Sequence, residues 1–171
     1  SRRRQRQMCI RDSYKAEKIN THGGSIRVYV KKGKKMKTDK SVQQLIKEEL
    51  NYGMDNFKTY QKFADKVYKI RENVIKNISN LKNNGEKIIG FGAPAKATTA
   101  LNFFGISSQI DFIVEDNKLK HKKFIPGVKI PIHSKEKIKD INNTMLVLAW
   151  NFFDDIKKNN KGLSKNFINI K

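Results

Sequence analysis

The stretch Lys87-Ile-Ile-Gly-Phe-Gly-Ala-Pro-Ala-Lys96, continued by Ala-Thr-Thr-Ala-Leu-Asn-Phe-Phe-Gly105, constrains the fold of this chain more than any other. A short apolar run reads as a buried strand, a glycine-rich turn follows, and good helix formers come next. Gly90, Gly92 and Ala95 keep the G-x-G-x-x-G/A spacing that brings backbone close to a phosphate at a helix N-terminus. Ala93 lies inside that turn. Pro94 suits the opening of the helix, because the N–H it lacks would have no intrahelical partner. The same proline removes a donor that a phosphate could use, and Lys96 offers a charge in compensation. Two readings stay open: a phosphate-binding turn, and a tight strand-to-helix turn that binds nothing.

Strands and helices alternate beyond this unit. The patterning predicts strands over 87–91, 109–114, 145–149 and 167–170, helices over 95–104, 134–140 and 152–159, and a short extended piece over 128–132 between prolines. That order predicts an α/β fold with a mostly parallel sheet and right-handed crossovers. Upstream, apolar and aromatic residues from Phe57 to Leu81 recur three or four apart, which predicts one stripe of a long helix over 56–84, stopped by Asn83-Asn84-Gly85. A stripe at this spacing is read as core. A shorter helix, capped by Asp39 or Ser41, runs to Leu50, and Asp55 is placed to cap the long one. Ser25 to Val30 alternates as a strand does, with no partner strand evident, and Lys31 to Lys40 reads as a linker.

In an open α/β sheet, ligands bind beyond the carboxyl ends of the strands. Three segments are expected there: the turn from Gly90 to Lys96, Glu115-Asp116-Asn117, and Trp150-Asn151-Phe152. Glu115 stands about where a dinucleotide fold places its ribose-binding acid, so a nicotinamide site is an alternative. Each segment also has a plain reading, Glu115 to Asn117 as a capped turn and Trp150 as a core anchor. Of the three histidines, His121 reads as solvated among lysines and His133 as a loop residue, while His22 leads through Gly23 and Gly24 into a strand.

With 171 residues there is room for one domain and part of another. The net charge of +21 is uneven in kind. Five of the seven arginines fall within Ser1 to Ser13, whereas the remainder is lysine-, asparagine- and isoleucine-rich. The first thirteen residues therefore read as a non-native translated adapter segment without tertiary contacts, the rival being a basic nucleic-acid arm. Without them the charge is +17, and Cys9, the only cysteine, goes too. Lysines are dense only over Lys31 to Lys37 and Lys118 to Lys123, without interleaved aromatics, so nucleic acid is not the expected partner. No segment approaches the roughly 20 apolar residues of a membrane span, and no secretory h-region follows the arginines; a cytoplasmic location is expected.

Several motifs together resemble a known family. His22-Gly-Gly-Ser-Ile-Arg-Val-Tyr-Val30, Gly90-Phe-Gly-Ala-Pro-Ala-Lys96, Leu101-Asn-Phe-Phe-Gly-Ile106, Ile110-Asp-Phe-Ile-Val-Glu-Asp-Asn117, Phe124-Ile-Pro-Gly-Val-Lys-Ile-Pro-Ile132 and Leu148-Ala-Trp-Asn151 occur in the order of the C-terminal half of sugar C-methyltransferases. These S-adenosylmethionine-dependent enzymes methylate a carbon of a nucleotide-linked keto sugar. The resemblance implies a zinc domain and a methyltransferase domain upstream, neither with its motifs in this chain, and a Rossmann-like domain that helps hold a nucleotide sugar, of dTDP type. It divides the chain into 1–13, a methyltransferase tail and linker over 14–40, and the Rossmann-like domain over 41–171. His22, Gly23 and Gly24 would then border the sugar pocket, together with Gly90, Gly92, Ala93, Ala95, Lys96, Trp150 and Asn151. Ser25 to Val30 would be the last, antiparallel strand of a methyltransferase sheet. The chemistry implied is deprotonation beside the sugar ketone and attack of the enolate on the sulfonium methyl group, with an upstream histidine as base. No catalytic residue, cofactor ligand or metal ligand carries over onto this chain, which is expected to be inactive alone. A stand-alone nucleotide-sugar or nucleic-acid binding module is the alternative from another class.

Overall fold

The apolar run after Lys87 forms β3 (Ile88–Phe91), the central strand of a five-stranded parallel sheet, in a computed structural model that describes residues 11–21, 24–32 and 37–170. On one side β3 pairs with β4 (Phe112–Val114), which pairs with β5 (Ile132–His133). On the other it pairs with β6 (Thr144–Val147), followed outward by β7 (Asn166–Asn169). The order β5-β4-β3-β6-β7 means that the chain winds one way from β3 and then returns to wind the other way. Every residue of β3 and β6 is buried, as in a parallel sheet covered on both faces.

Alternation along β3 feeds two cores. Ile88 joins a cluster with Ile113, Leu146 and Leu148, against which α3 (Ala95–Phe104) sets Ala97, Leu101 and Phe104, and α2 (Phe57–Asn83) sets Val74 and Ile78. Ile89 and Phe91 join Val114 and Met145 on the opposite face, with Ile156 of α4 (Phe153–Asn159) packed against them. The chain divides after Ala64 into two compact units.

In the first unit β1 (Arg11–Ile19) and β2 (Ser25–Lys32) form an antiparallel pair, so Ser25 to Val30 is not an orphan strand. The residues opposite it are Ser13 and Lys15 to Ile19, with a register shift at Tyr14, a segment whose charged residues carry no apolar strand pattern. The pairing reaches Arg11, Asp12 and Ser13, opposite Lys32, Lys31 and Val30, so a tail free of tertiary contact up to Ser13 does not hold for those three residues; residues 1–10 lie outside the described residues. β2 also extends two residues into the lysine-rich linker. α1 (Lys40–Tyr52) starts at an Asp39 cap whose carboxylate accepts from Ser41 N–H, and ends at Gly53 with φ +79. Ser41 in turn accepts from Ala16 N–H, and Tyr14 C=O from Asp39 N–H, tying the helix to β1.

Asn56, not Asp55, caps α2, its side chain accepting from Lys58 N–H. Burial on α2 departs from expectation as well. Phe57, Tyr60, Phe63 and Tyr68 are exposed, and only from Arg71 onward is the stripe core. Arg71 holds the register there, donating to Phe103 C=O at 2.7 Å with its guanidinium over the Phe103 ring.

Smaller differences follow from the brevity of parallel strands. The segment expected as a helix over 134–140 is a single 3-10 turn, Lys135–Lys137. The strand expected from Gln109 starts at Phe112, after the 3-10 turn Ser107–Gln109. His133 belongs to β5 and meets the Phe112 ring edge-on. No helix among the described residues is long and apolar enough to cross a membrane.

Candidate functional site

The winding reverses between β3 and β6, and the carboxyl ends of these two strands are where an open parallel sheet carries its ligand crevice. Two backbone hydrogen bonds fix its walls. Gly92 N–H donates to Val114 C=O at 2.8 Å, and Leu148 N–H to Phe91 C=O at 2.9 Å. Gly92 has φ +86, and a Cβ there would stand 3.2 Å from Ala149 Cβ, so the turn after β3 is pressed against the turn after β6. Gly90 has a packing reason of its own. A Cβ on it would fall 2.7 Å from Ile113 Cγ1 and 3.1 Å from Leu148 Cδ1, inside the core.

The acid after β4 is fully engaged. Glu115 accepts from Ala93 N–H at 2.8 Å and Asn117 N–H at 3.1 Å, and pairs with Lys120 Nζ at 3.3 Å. Lys120 also donates to Ala93 C=O at 2.9 Å, so one lysine and one glutamate clamp both backbone groups of Ala93. Burial pushes the Glu115 carboxyl up, but the N–H groups of Asn117 and Ala93 and the Lys120 ammonium outweigh it and hold the group below the ordinary carboxylate value. His121 is half-buried with Nε2 2.7 Å from Glu115 C=O, which corrects its reading as a solvated residue. Lys120 was missed because nothing in Lys118 to Lys123 distinguishes one lysine from its neighbours.

Gly92 and Ala93 spend their N–H groups within the protein. Pro94 is the N-cap of α3, extended at φ −71 and ψ 161, and no side chain caps the helix. Ala95 is exposed in the first turn, where uncompensated N–H groups carry the positive end of the helix dipole. Lys96 lies across the crevice with Nζ 4.2 Å from the centre of the Trp150 ring. Trp150, half-buried, sits in the 3-10 turn Trp150–Phe152 after β6 and packs on the core cluster through its other contacts. Asn151 beside it is exposed. The structure thus joins Lys96 to Trp150 and Ala93 to Glu115. Gly24, at φ +114, closes the β1–β2 turn in the first unit by donating to Thr21 C=O, and His22 and Gly23 lie outside the described residues. Among the described residues no group of three or more His, Cys, Asp or Glu side chains could hold a metal ion.

Comparison with known proteins meets this geometry. Residues 20–168 match the C-methyltransferase C-terminal domain family. A curated relative, the C-methyltransferase NovU of Streptomyces niveus, is 31% identical over 150 residues, which cover 86% of this chain and 36% of the relative. The chain therefore spans about a third of that protein's length. A match over nearly the whole described chain makes the chain a member of the C-methyltransferase C-terminal domain family.

Proposed function

We propose that this domain binds and orients a nucleotide-linked keto sugar, of dTDP type, for S-adenosylmethionine-dependent methylation of a sugar carbon by a methyltransferase domain. The observation that carries the reading is the Lys96–Trp150 contact at the carboxyl edge of the sheet. There a cation, a helix N-terminus and an aromatic face meet, which suits a diphosphate joined to a sugar ring. Orientation is the contribution expected of such a domain, since a sugar held in one pose presents one carbon for deprotonation and methyl transfer. S-adenosylmethionine supplies the methyl group, and no residue of this chain is assigned to it. Zinc is likewise assigned to the upstream cysteine-rich domain that the resemblance implies. In the first unit Ile26, Val28 and Val30 expose an apolar strip on β2, consistent with a strand that completes a methyltransferase sheet.

The nicotinamide alternative needs Glu115 for a ribose. Its carboxylate already holds two backbone N–H groups and an ammonium, so hydroxyls would have to displace them. Calorimetric titration of the chain with dTDP, a dTDP-sugar and NAD tests the choice. The dTDP compounds are expected to bind more tightly than NAD, and Lys96→Ala to weaken them about tenfold through loss of a charge-assisted contact. Preferential binding of NAD would overturn the proposal.

A further inference from the structure

We propose that the cleft between α2 and the outer strand β7 is a second ligand site, which takes an uncharged planar ring presenting adjacent N–H and C=O groups, as a lactam or a pyrimidine base does. The cleft has a volume of about 300 Å³, the lower end of the range for small-molecule sites. Its floor is aliphatic, with Ile78 of α2 facing Leu146 and Ile168 of β6 and β7. On the α2 side the rim carries three carboxamides, Asn77 and Asn80 on α2 and Asn84 in the turn just past its end. The spacing of three places Asn77 and Asn80 one above the other, a turn apart along the helix.

Two features separate this rim from ordinary surface. Asparagine is a poor helix former, costing about half a kcal/mol per residue relative to alanine, and here two stand a turn apart beside the cleft. In addition, among the described residues no charged side chain lines the cleft, although the chain carries a net charge of +21. A charge-free slot in so basic a chain does not select an anion. A carboxamide offers a donor pair and an acceptor together, the complement of a ring edge that carries both, and the aliphatic floor suits the faces of the ring. The site lies at the outer edge of the sheet, apart from the crevice at β3 and β6, and does not depend on the sugar reading.

The test uses the whole 171-residue chain and thymidine, an uncharged nucleoside, as probe. Nitrogen-edited NMR should show saturable shifts of the Asn77, Asn80 and Asn84 side-chain amides. Asn80→Leu should raise Kd at least about tenfold, and Asn73→Leu, outside the cleft on the same helix, should not. Asn80→Asp, which keeps the shape but makes the group a charged acceptor, should behave as Asn80→Leu does and covers the case in which leucine disturbs the fold. Absence of saturable shifts in the millimolar range, or a Kd indifferent to both changes at Asn80, would overturn the site. A competition with dTDP identifies the source. Displacement that Lys96→Ala weakens marks the ring as the base of a nucleotide, whereas displacement indifferent to Lys96, or none, marks a separate uncharged ring; the thymidine result stands even if dTDP fails to bind at Lys96.

Discussion

Gly90→Val is expected to destabilise the Asp65–Lys171 unit by about 3 kcal/mol, the upper range for overpacking a close-packed core. Even the first added carbon would sit 2.7 Å from Ile113 Cγ1, a branch atom near the backbone rather than a yielding tip, and 3.1 Å from Leu148 Cδ1. Ile113 and Leu148 are both fully buried and have nowhere to retreat. Thermal unfolding should show a midpoint lower by roughly 10 °C or more for a unit of this size. Gly162→Ala, where an added Cβ meets nothing within 4 Å, serves as control and should leave the midpoint nearly unchanged. Trimming the obstacle gives a sharper check. If packing is the cause, Ile113→Ala, which removes Cγ1, should cost less in the Gly90→Ala background than alone. Equal costs in both backgrounds would mean that the glycine is required for some other reason.

Glu115→Ala is the second large effect expected, because it removes at once the acceptor for two backbone N–H groups and the partner of Lys120. Hydrogen bonds to a charged acceptor contribute about 1.5–3 kcal/mol each when shielded, and partial exposure here brings the expected total to about 2–3 kcal/mol. Glu115→Gln should recover only part of it, since an amide supplies one acceptor oxygen and turns an N–H₂ group toward donors. The carboxyl is held below its ordinary value in the folded protein, so its contribution is complete above the unfolded value and is lost as pH falls through the lower folded one. Chemical denaturation from pH 6 down to pH 3 should therefore show stability falling with acid, with a shallower slope in Glu115→Gln. Identical slopes in the two proteins would remove Glu115 as a stabilising anion.

Regular patterning made the sheet legible in the sequence. Ile88 to Phe91 and Met145 to Ala149 are apolar throughout, and glycines or polar turns bound them, so strand, turn and helix could be placed there from the pattern alone. What escaped depended on neighbours distant in sequence. Tyr14 to Ile19 is a strand because Ser25 to Lys32 lies beside it, and charged residues in alternation carry little signal of their own. Phe57 and Phe63 fit a buried stripe by spacing but are exposed, because spacing fixes a helical face without fixing what covers it. At the site, the meeting of the Gly90–Lys96 turn with Trp150 was legible from the rule of strand ends. The clamp of Lys120 and Glu115 on Ala93 was not, since it needs the distance between two loops 22 residues apart.

Trp150 is the single tryptophan of the chain, and the ammonium of Lys96 sits over its ring. The near-ultraviolet emission of this protein therefore originates largely in the crevice, from an indole whose excited state feels a positive charge 4.2 Å away. Any anion that draws Lys96 off the ring changes the field at the fluorophore. The domain thus carries its own label-free optical probe, and spectral position and quenching by iodide report whether Lys96 stays on the ring, without a dye.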